Sequence, residues 1–191
     1  MPRKCKHCKA VELLPASKTK DIIEKKGYCS VKCLAEHTKE KRIKAQAKAE
    51  AKELKAAKER VKTRRQWMKE AQQWFNKFIR LRDHNDPCIS CGRHHEGQYH
   101  AGHYRTTGAA GHLRFDENNC HKQCAPCNNH LSGNIANYRP NLLAKVGEDE
   151  LERIETDNTS YYWRIEDLKQ IKEKYKAKCK KLEKELNRNL I

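Results

Sequence analysis

Eight of the ten cysteines in this 191-residue chain fall in four close pairs: Cys5/Cys8, Cys29/Cys33, Cys88/Cys91 and Cys124/Cys127. Two such pairs make the ligand set of a structural Zn²⁺, whose tetrahedron four thiolates close. The first residues, Met1-Pro2-Arg3-Lys4-Cys5, lack the apolar run of a secretory signal, which favours zinc over disulfides. Two structural zinc ions are therefore expected. Cys120 lies near enough to the second foursome to compete as a ligand. Cys179 falls in a helical pattern and reads as a free, partly buried thiol.

The residues around the second foursome exceed what a zinc knuckle needs. His100 and His103 lie on a short apolar and aromatic segment from Tyr99 to Tyr104, Asn119 comes five residues before Cys124, and Asn128 and His130 follow Cys127. Phosphodiester hydrolysis needs a metal on the phosphate, a base for water and stabilisation of the leaving oxygen. Histidine is a suitable base near pH 7, and His103 is the candidate. His100, Asn128 and His130 are candidate ligands of a catalytic ion, Mg²⁺ or Mn²⁺. Asn119 can hydrogen-bond across a loop and fix the orientation of the histidine strand. His94, His95 and His112 are assigned to loops, and His121 to a supporting contact behind the zinc thiolates.

These residues need a frame that a chain this polar cannot build from apolar burial alone. It has 37% hydrophobic and 35% charged residues and a formal net charge of +17, so small, metal-stapled ordered regions are expected. The charge calls for a polyanionic partner. No apolar run approaches the ~18 to 20 residues of a spanning helix, and nucleic acid fits better than a membrane.

Residues 1–37 read as a zinc-ribbon or treble-clef module around an insert carrying Pro15, Asp21 and Gly27. It is either a structural knob or a DNA contact through Arg3, Lys4, Lys6 and Lys9. Residues 38–66, with twelve basic and four acidic side chains, read as a basic helical linker. Lys44, Lys48, Lys52, Lys55 and Lys62 can track a phosphate backbone there, unless the helix is only a solvated spacer. Its large apolar residues, Ile43, Leu54 and Val61, are too sparse for a coiled-coil seam. Residues 67–147 form the zinc-braced core, opening with an amphipathic helix through Trp67, Ala71, Trp74, Phe75, Phe78 and Ile79. Short helices are expected at 137–145 and 148–155. Residues 148–191 form a C-terminal helical region whose last helix begins near Tyr162 and repeats Ile165, Leu168, Ile171, Tyr175, Cys179, Leu182 and Leu186. The fold class is mainly α, with small zinc-stapled α+β modules.

The central constellation resembles the HNH, or ββα-metal, endonucleases, and most closely the phage lambda NinG (Rap) recombination endonuclease family. The stretches that carry the resemblance are CISCG at 88–92, AGHYRTT at 101–107, LRF at 113–115, HKQC at 121–124 and CNNHLSGN at 127–134. The resemblance implies a ββα core and a phage or prophage enzyme of the bacterial cytoplasm. It would cleave branched DNA such as Holliday junctions and D-loops, with a homodimer expected by analogy and host or phage recombination proteins as further partners. The lambda-type motif carries an aspartate where this chain has His100, which would bring one less negative charge and favour softer metals than Mg²⁺. The rival expectation is a zinc-stabilised nucleic-acid-binding or recombination-accessory protein without catalysis.

Overall fold

The computed structural model describes residues 5–9 and 27–188; Arg3, Lys4, Pro15 and Asp21 lie outside the described residues. The chain divides into two compact units, 1–62 and 63–191.

No glycine or proline interrupts residues 28–86, and most of this stretch is helical. In the first unit α1 spans Val31–Arg60, with the Ser30 hydroxyl accepting from the Cys33 amide at its N-terminus. None of its residues is buried. Its stability rests on the helix propensity of Ala, Lys, Glu and Gln and on the cap. Among the described residues this unit contains no strand.

The linker expected to run helical to Gln66 instead stops at Arg60, and α2 (Arg64–Arg82) begins afresh. Thr63 and Gln66 form a capping box: the Gln66 amide donates to the Thr63 hydroxyl at 3.3 Å, and the Thr63 amide donates to Gln66 Oε1 at 2.8 Å. Those reciprocal bonds satisfy donors that a continuous helix would have bonded within itself, and they specify a new start.

α2 buries Trp67, Ala71, Phe75, Phe78 and Ile79. It packs on α5 (Ile165–Arg188), which contributes Leu168, Tyr175 and Cys179 to the same core. The Phe75 and Tyr175 rings meet edge to face at 4.9 Å. Each such side chain, fully buried, contributes about 1.5–3 kcal/mol. Cys179 is fully enclosed, its thiol directed at the Trp74 carbonyl. The last helix starts at Ile165 instead of near Tyr162, with Asp167 accepting from the Arg164 amide.

Between α2 and α5 lie β1 (Tyr99–His103), a 3₁₀ turn (Gly111–Phe115), β2 (Cys120–Cys124), a π turn (Pro126–His130), α3 (Ile135–Val146) and α4 (Glu148–Thr156). The strands are antiparallel, pairing Tyr99 with Cys124 and His103 with Cys120. Gly147, at φ +85°, ends α3 and admits α4 directly. A second core of Ile89, Tyr104, Ala110, Leu113, Tyr138, Leu142, Leu151 and Ile154 joins α3 and α4 to the loop between the strands.

Candidate metal centres and histidine hairpin

Side chains alternate along a strand, so the hairpin has two faces. Ala101, His103 and Cys120 lie on the face turned to α2, where Cys120 and Ala101 join its core. His100, Gly102, His121 and Gln123 lie on the face turned to α3. There the Tyr138 hydroxyl donates to the Gly102 carbonyl at 3.0 Å, and Gln123 donates to Ser90 Oγ and the Gly133 carbonyl. Gly102 has to be glycine: a Cβ would clash with Gln123 Oε1 and stand 2.9 Å from Gln123 Cβ.

The four cysteines of this unit converge at one end of the hairpin. Cys88 and Cys91 lie in the turn after α2, Cys124 ends β2, and Cys127 lies in the π turn. Gly92, at φ +67°, closes the first turn by donating its amide to the Cys88 carbonyl at 2.8 Å. All four sulfurs lie within 4.8 Å of one another. The Cys124 amide donates to Cys88 Sγ at 3.3 Å. Burial first, and then the crowding of Cys88 and Cys127, push the Cys124 thiol up to about 12. A bound cation removes that cost by taking thiolates as ligands. The donor set fits a zinc ion.

The first unit gathers the second cluster. Cys5 and Cys8 sit in a turn, Cys29 precedes the Ser30 cap and Cys33 lies in the first turn of α1. Sulfur separations are 3.5 Å for Cys8–Cys29 and 3.4 Å for Cys29–Cys33, and all four lie within 4.8 Å of one another. This set can hold a zinc ion equally well.

Asn119 makes the bridge expected of it. Fully buried, it accepts from the Arg105 amide at 2.9 Å and donates to the Arg105 and Leu113 carbonyls at 3.1 and 3.3 Å. One amide thereby locks the exit of β1, the 3₁₀ turn and the entry to β2.

His103 is half-buried beside Phe75, with ring centroids 6.0 Å apart. Its Nε2 lies 2.9 Å from the Arg114 carbonyl. A carbonyl only accepts, so Nε2 carries the proton and the lone pair rests on Nδ1, 3.7 Å from Cys120 Sγ. Burial lowers the His103 pKa, opposed only in part by that hydrogen bond, and the ring is neutral near pH 7.

The structure separates the two strand histidines. His100 and His103 are three residues apart on β1 and point to opposite faces. His100 Nε2 is enclosed without a hydrogen-bond partner. Asn128 donates to Asn129 Oδ1 at 2.8 Å, and His130 is exposed. Among the described residues, neither His100 nor His130 belongs to a group of three His, Cys, Asp or Glu at metal-holding distance.

Three further histidines and Cys120 add to the sequence reading or depart from it. His95 lies in a loop, as assigned, and places Nε2 3.2 Å from Cys91 Sγ, supporting that sulfur as His121 was expected to do. His121 instead lies buried with Nδ1 3.4 Å from the Tyr138 hydroxyl, because its position on β2 turns it to α3. Burial, with Arg82 and Lys145 nearby, lowers its pKa to about 3. His112 reaches Asp157 at 3.5 Å from within the 3₁₀ turn. Cys120 is no competitor for the metal: it occupies the far end of β2 from Cys124, wholly buried in the α2 core.

The lysines singled out on and beside α1, Lys44, Lys48, Lys52, Lys55 and Lys62, are all exposed except Lys62, which is partly covered. Among the described residues no helix is long and apolar enough to cross a membrane.

A family described as Bacteriophage Lambda NinG protein matches residues 1–185. Proteins named Protein ninG from Escherichia phage 933W, Escherichia phage lambda and Salmonella phage P22 are each 50% identical over 107 residues. That match covers 56% of this chain and 52–53% of theirs, so the aligned part spans about half the length of these relatives. No solved structure matches. On the family match across nearly its whole length, the chain belongs to the bacteriophage lambda NinG family.

Proposed function

We propose that the chain is a metal-dependent, structure-selective DNA endonuclease of phage recombination. It would act on branched DNA such as Holliday junctions and D-loops, with an HNH-like core formed by β1, β2 and α3. In the same reading the Cys5–Cys33 module is a zinc ribbon or treble clef. The observation that carries the proposal is the pose of His103. Its Nε2–H is spent on the Arg114 carbonyl, which holds the imidazole neutral and fixed, as a general base requires, with the lone pair on Nδ1 beside the Cys120 thiol at 3.7 Å. Asn119 holds the strand in that pose from behind.

A catalytic divalent cation would supply electrostatic stabilisation of the phosphate and leaving oxygen. His100, with its unpartnered nitrogen, is the residue best suited to hold it. Asn128 and His130, on the turn that carries Cys127, are the remaining donors. The net charge of +17 supports the polyanionic substrate.

A second reading is a zinc-stabilised nucleic-acid-binding protein without catalysis. One observation favours it: His100 and His103 occupy opposite faces of β1. Incubation of the purified chain with a four-way junction and Mg²⁺ or Mn²⁺, alongside His103→Ala, separates the two. The nuclease reading requires cleavage by the wild type that His103→Ala abolishes while junction binding is kept. Binding without cleavage by the wild type establishes the second reading. Cleavage by His103→Ala at the wild-type rate removes His103 from the mechanism.

A further inference from the structure

We infer that His7, His37 and Glu40 form a third metal site, on the first unit and separate from both four-cysteine clusters, for a borderline divalent cation such as Zn²⁺ or Co²⁺. His7 stands between two zinc-site cysteines, Cys5 and Cys8, in a turn closed by the Lys9 amide on the Cys5 carbonyl at 3.1 Å. His37 and Glu40 lie three residues apart on α1 and share one face of that helix. The ligand atoms of the three lie within 4.8 Å of one another. Donors bound at about 2.0–2.2 Å to a tetrahedral ion stand roughly 3.3–3.6 Å apart, so small side-chain rotations close the set.

The arrangement also orients His7. Its Nε2 lies 3.2 Å from Glu36 Oε2, while Nδ1 faces Glu40 at 3.8 Å. A cation taken at Nδ1, on the side of Glu40, would leave the Nε2 proton for Glu36 to hold. Carboxylates behind metal-bound histidines do the same, raising ligand basicity and setting the tautomer. The His7 and His37 rings stand edge to face, with centroids 6.2 Å apart and planes at 78°, so their in-plane lone pairs can converge without ring overlap.

Two imidazoles and a carboxylate suit borderline cations, and three protein ligands leave a coordination position open to water or another small ligand. Glu40 is 52% exposed and His7 21%, so that position faces solvent. A zinc bound to four thiolates carries a formal charge of −2, which attracts a second cation nearby. The cysteine cluster should fill first, because it sets the turn that presents His7.

The experiment titrates the metal-free full chain with Co²⁺ under reducing conditions and measures bound metal after equilibrium dialysis. The cysteine clusters take the first equivalents, with intense thiolate-to-cobalt absorption in the near ultraviolet. The third-site ion adds visible absorption without increasing the thiolate band. In parallel, His37→Ala/Glu40→Ala and the milder His37→Asn should each bind one ion fewer than wild type with an unchanged thiolate band, which certifies an intact cysteine cluster. Equal stoichiometry in wild type and His37→Asn with that band intact overturns the inference. Because the readout is the difference between wild type and variant, an ion at His100 cancels from it, and loss of nuclease activity plays no part in the count.

Discussion

The two four-cysteine clusters offer the same ligands in opposite surroundings. Around Cys5, Cys8, Cys29 and Cys33 the described structure offers almost no core: Cys5 is buried, but Cys8 is exposed and α1 buries nothing. Around Cys88, Cys91, Cys124 and Cys127 the turns are held by the Ile89 amide on the Lys122 carbonyl, by Ser90 and Gln123, and by apolar clusters built on α2 and α3. The difference teaches that one ligand chemistry can take two structural roles. In the first unit a bound ion would itself be the core, whereas in the second it would brace one end of a core that already exists.

Metal removal is the strongest way to break this comparison. A structural zinc supplies roughly 10 kcal/mol or more of apparent folding free energy, and the first module has little else. Chelation should therefore erase hydrogen-exchange protection at residues 5–9 and 29–33. Amides of Phe75, Ile79 and Leu168 should keep much of theirs. Cys124→Ser should likewise loosen the hairpin end and the π turn before it touches the α2–α5 core. Simultaneous loss across both units would show that the second cluster is a core element as well.

Asn119 tests the claim that the second unit has its own polar frame. Asn119→Ala leaves the Arg105 amide and two carbonyls without their partner inside a buried loop, at a cost on the order of 3 kcal/mol. Denaturant unfolding monitored through the α2 tryptophans should show it, with the bound zinc count unchanged. A loss under ~0.5 kcal/mol would mean that water replaces the side chain and the loop is looser than its hydrogen bonds indicate.

His121 adds a pH dependence to the second unit. Its pKa falls from an ordinary 6.5 to about 3, first through burial and then through Arg82 and Lys145. Between those values the unfolded chain binds the proton and the folded chain does not. Stability from this group is thus complete above pH 6.5 and declines as pH falls, by up to about 1.4 kcal/mol per pH unit. Acid also protonates zinc thiolates, so the useful quantity is the wild-type slope minus that of His121→Gln. A zero difference between pH 6.5 and 5 would place His121 in contact with solvent.

Local patterns were legible in the sequence because each had its own signature. Helical spacing found α2 and α5, the cysteine pairs found both clusters, and Asn119 was placed through its distance from Cys124. The long helix was misjudged at Thr63, where the Thr63/Gln66 capping box was readable but masked by strong helix formers on both sides. His95 and His121 were exchanged in role for a different reason. Proximity in sequence to a cysteine says nothing about which face of a strand a side chain takes. That is fixed by the register of β1 on β2, a pairing of residues about twenty apart. The same limit applies to His100 and His103: their types signal chemistry, but only the alternation of the strand reveals that they diverge.

The smallest expected effect on stability is also the one that most sharpens the contrast between the units. Lys44, Lys48, Lys52 and Lys55 are exposed on a helix that buries nothing. Replacing them with glutamine, a helix former of similar propensity, should change stability by no more than about 0.5 kcal/mol. If the helix contacts DNA, the substitution nevertheless removes phosphate contacts, each of which contributes about −0.9 to the slope of log affinity against log salt on duplex arms. Junction binding measured from low to moderate salt should then show a flatter slope for the variant, and weaker binding to all sequences alike. Identical slopes would make α1 a spacer and move the binding surface to the cysteine modules and the Lys-rich α5. A flatter slope with unchanged stability would assign the first unit a role in binding that owes nothing to its packing, leaving the second unit to position the histidine hairpin.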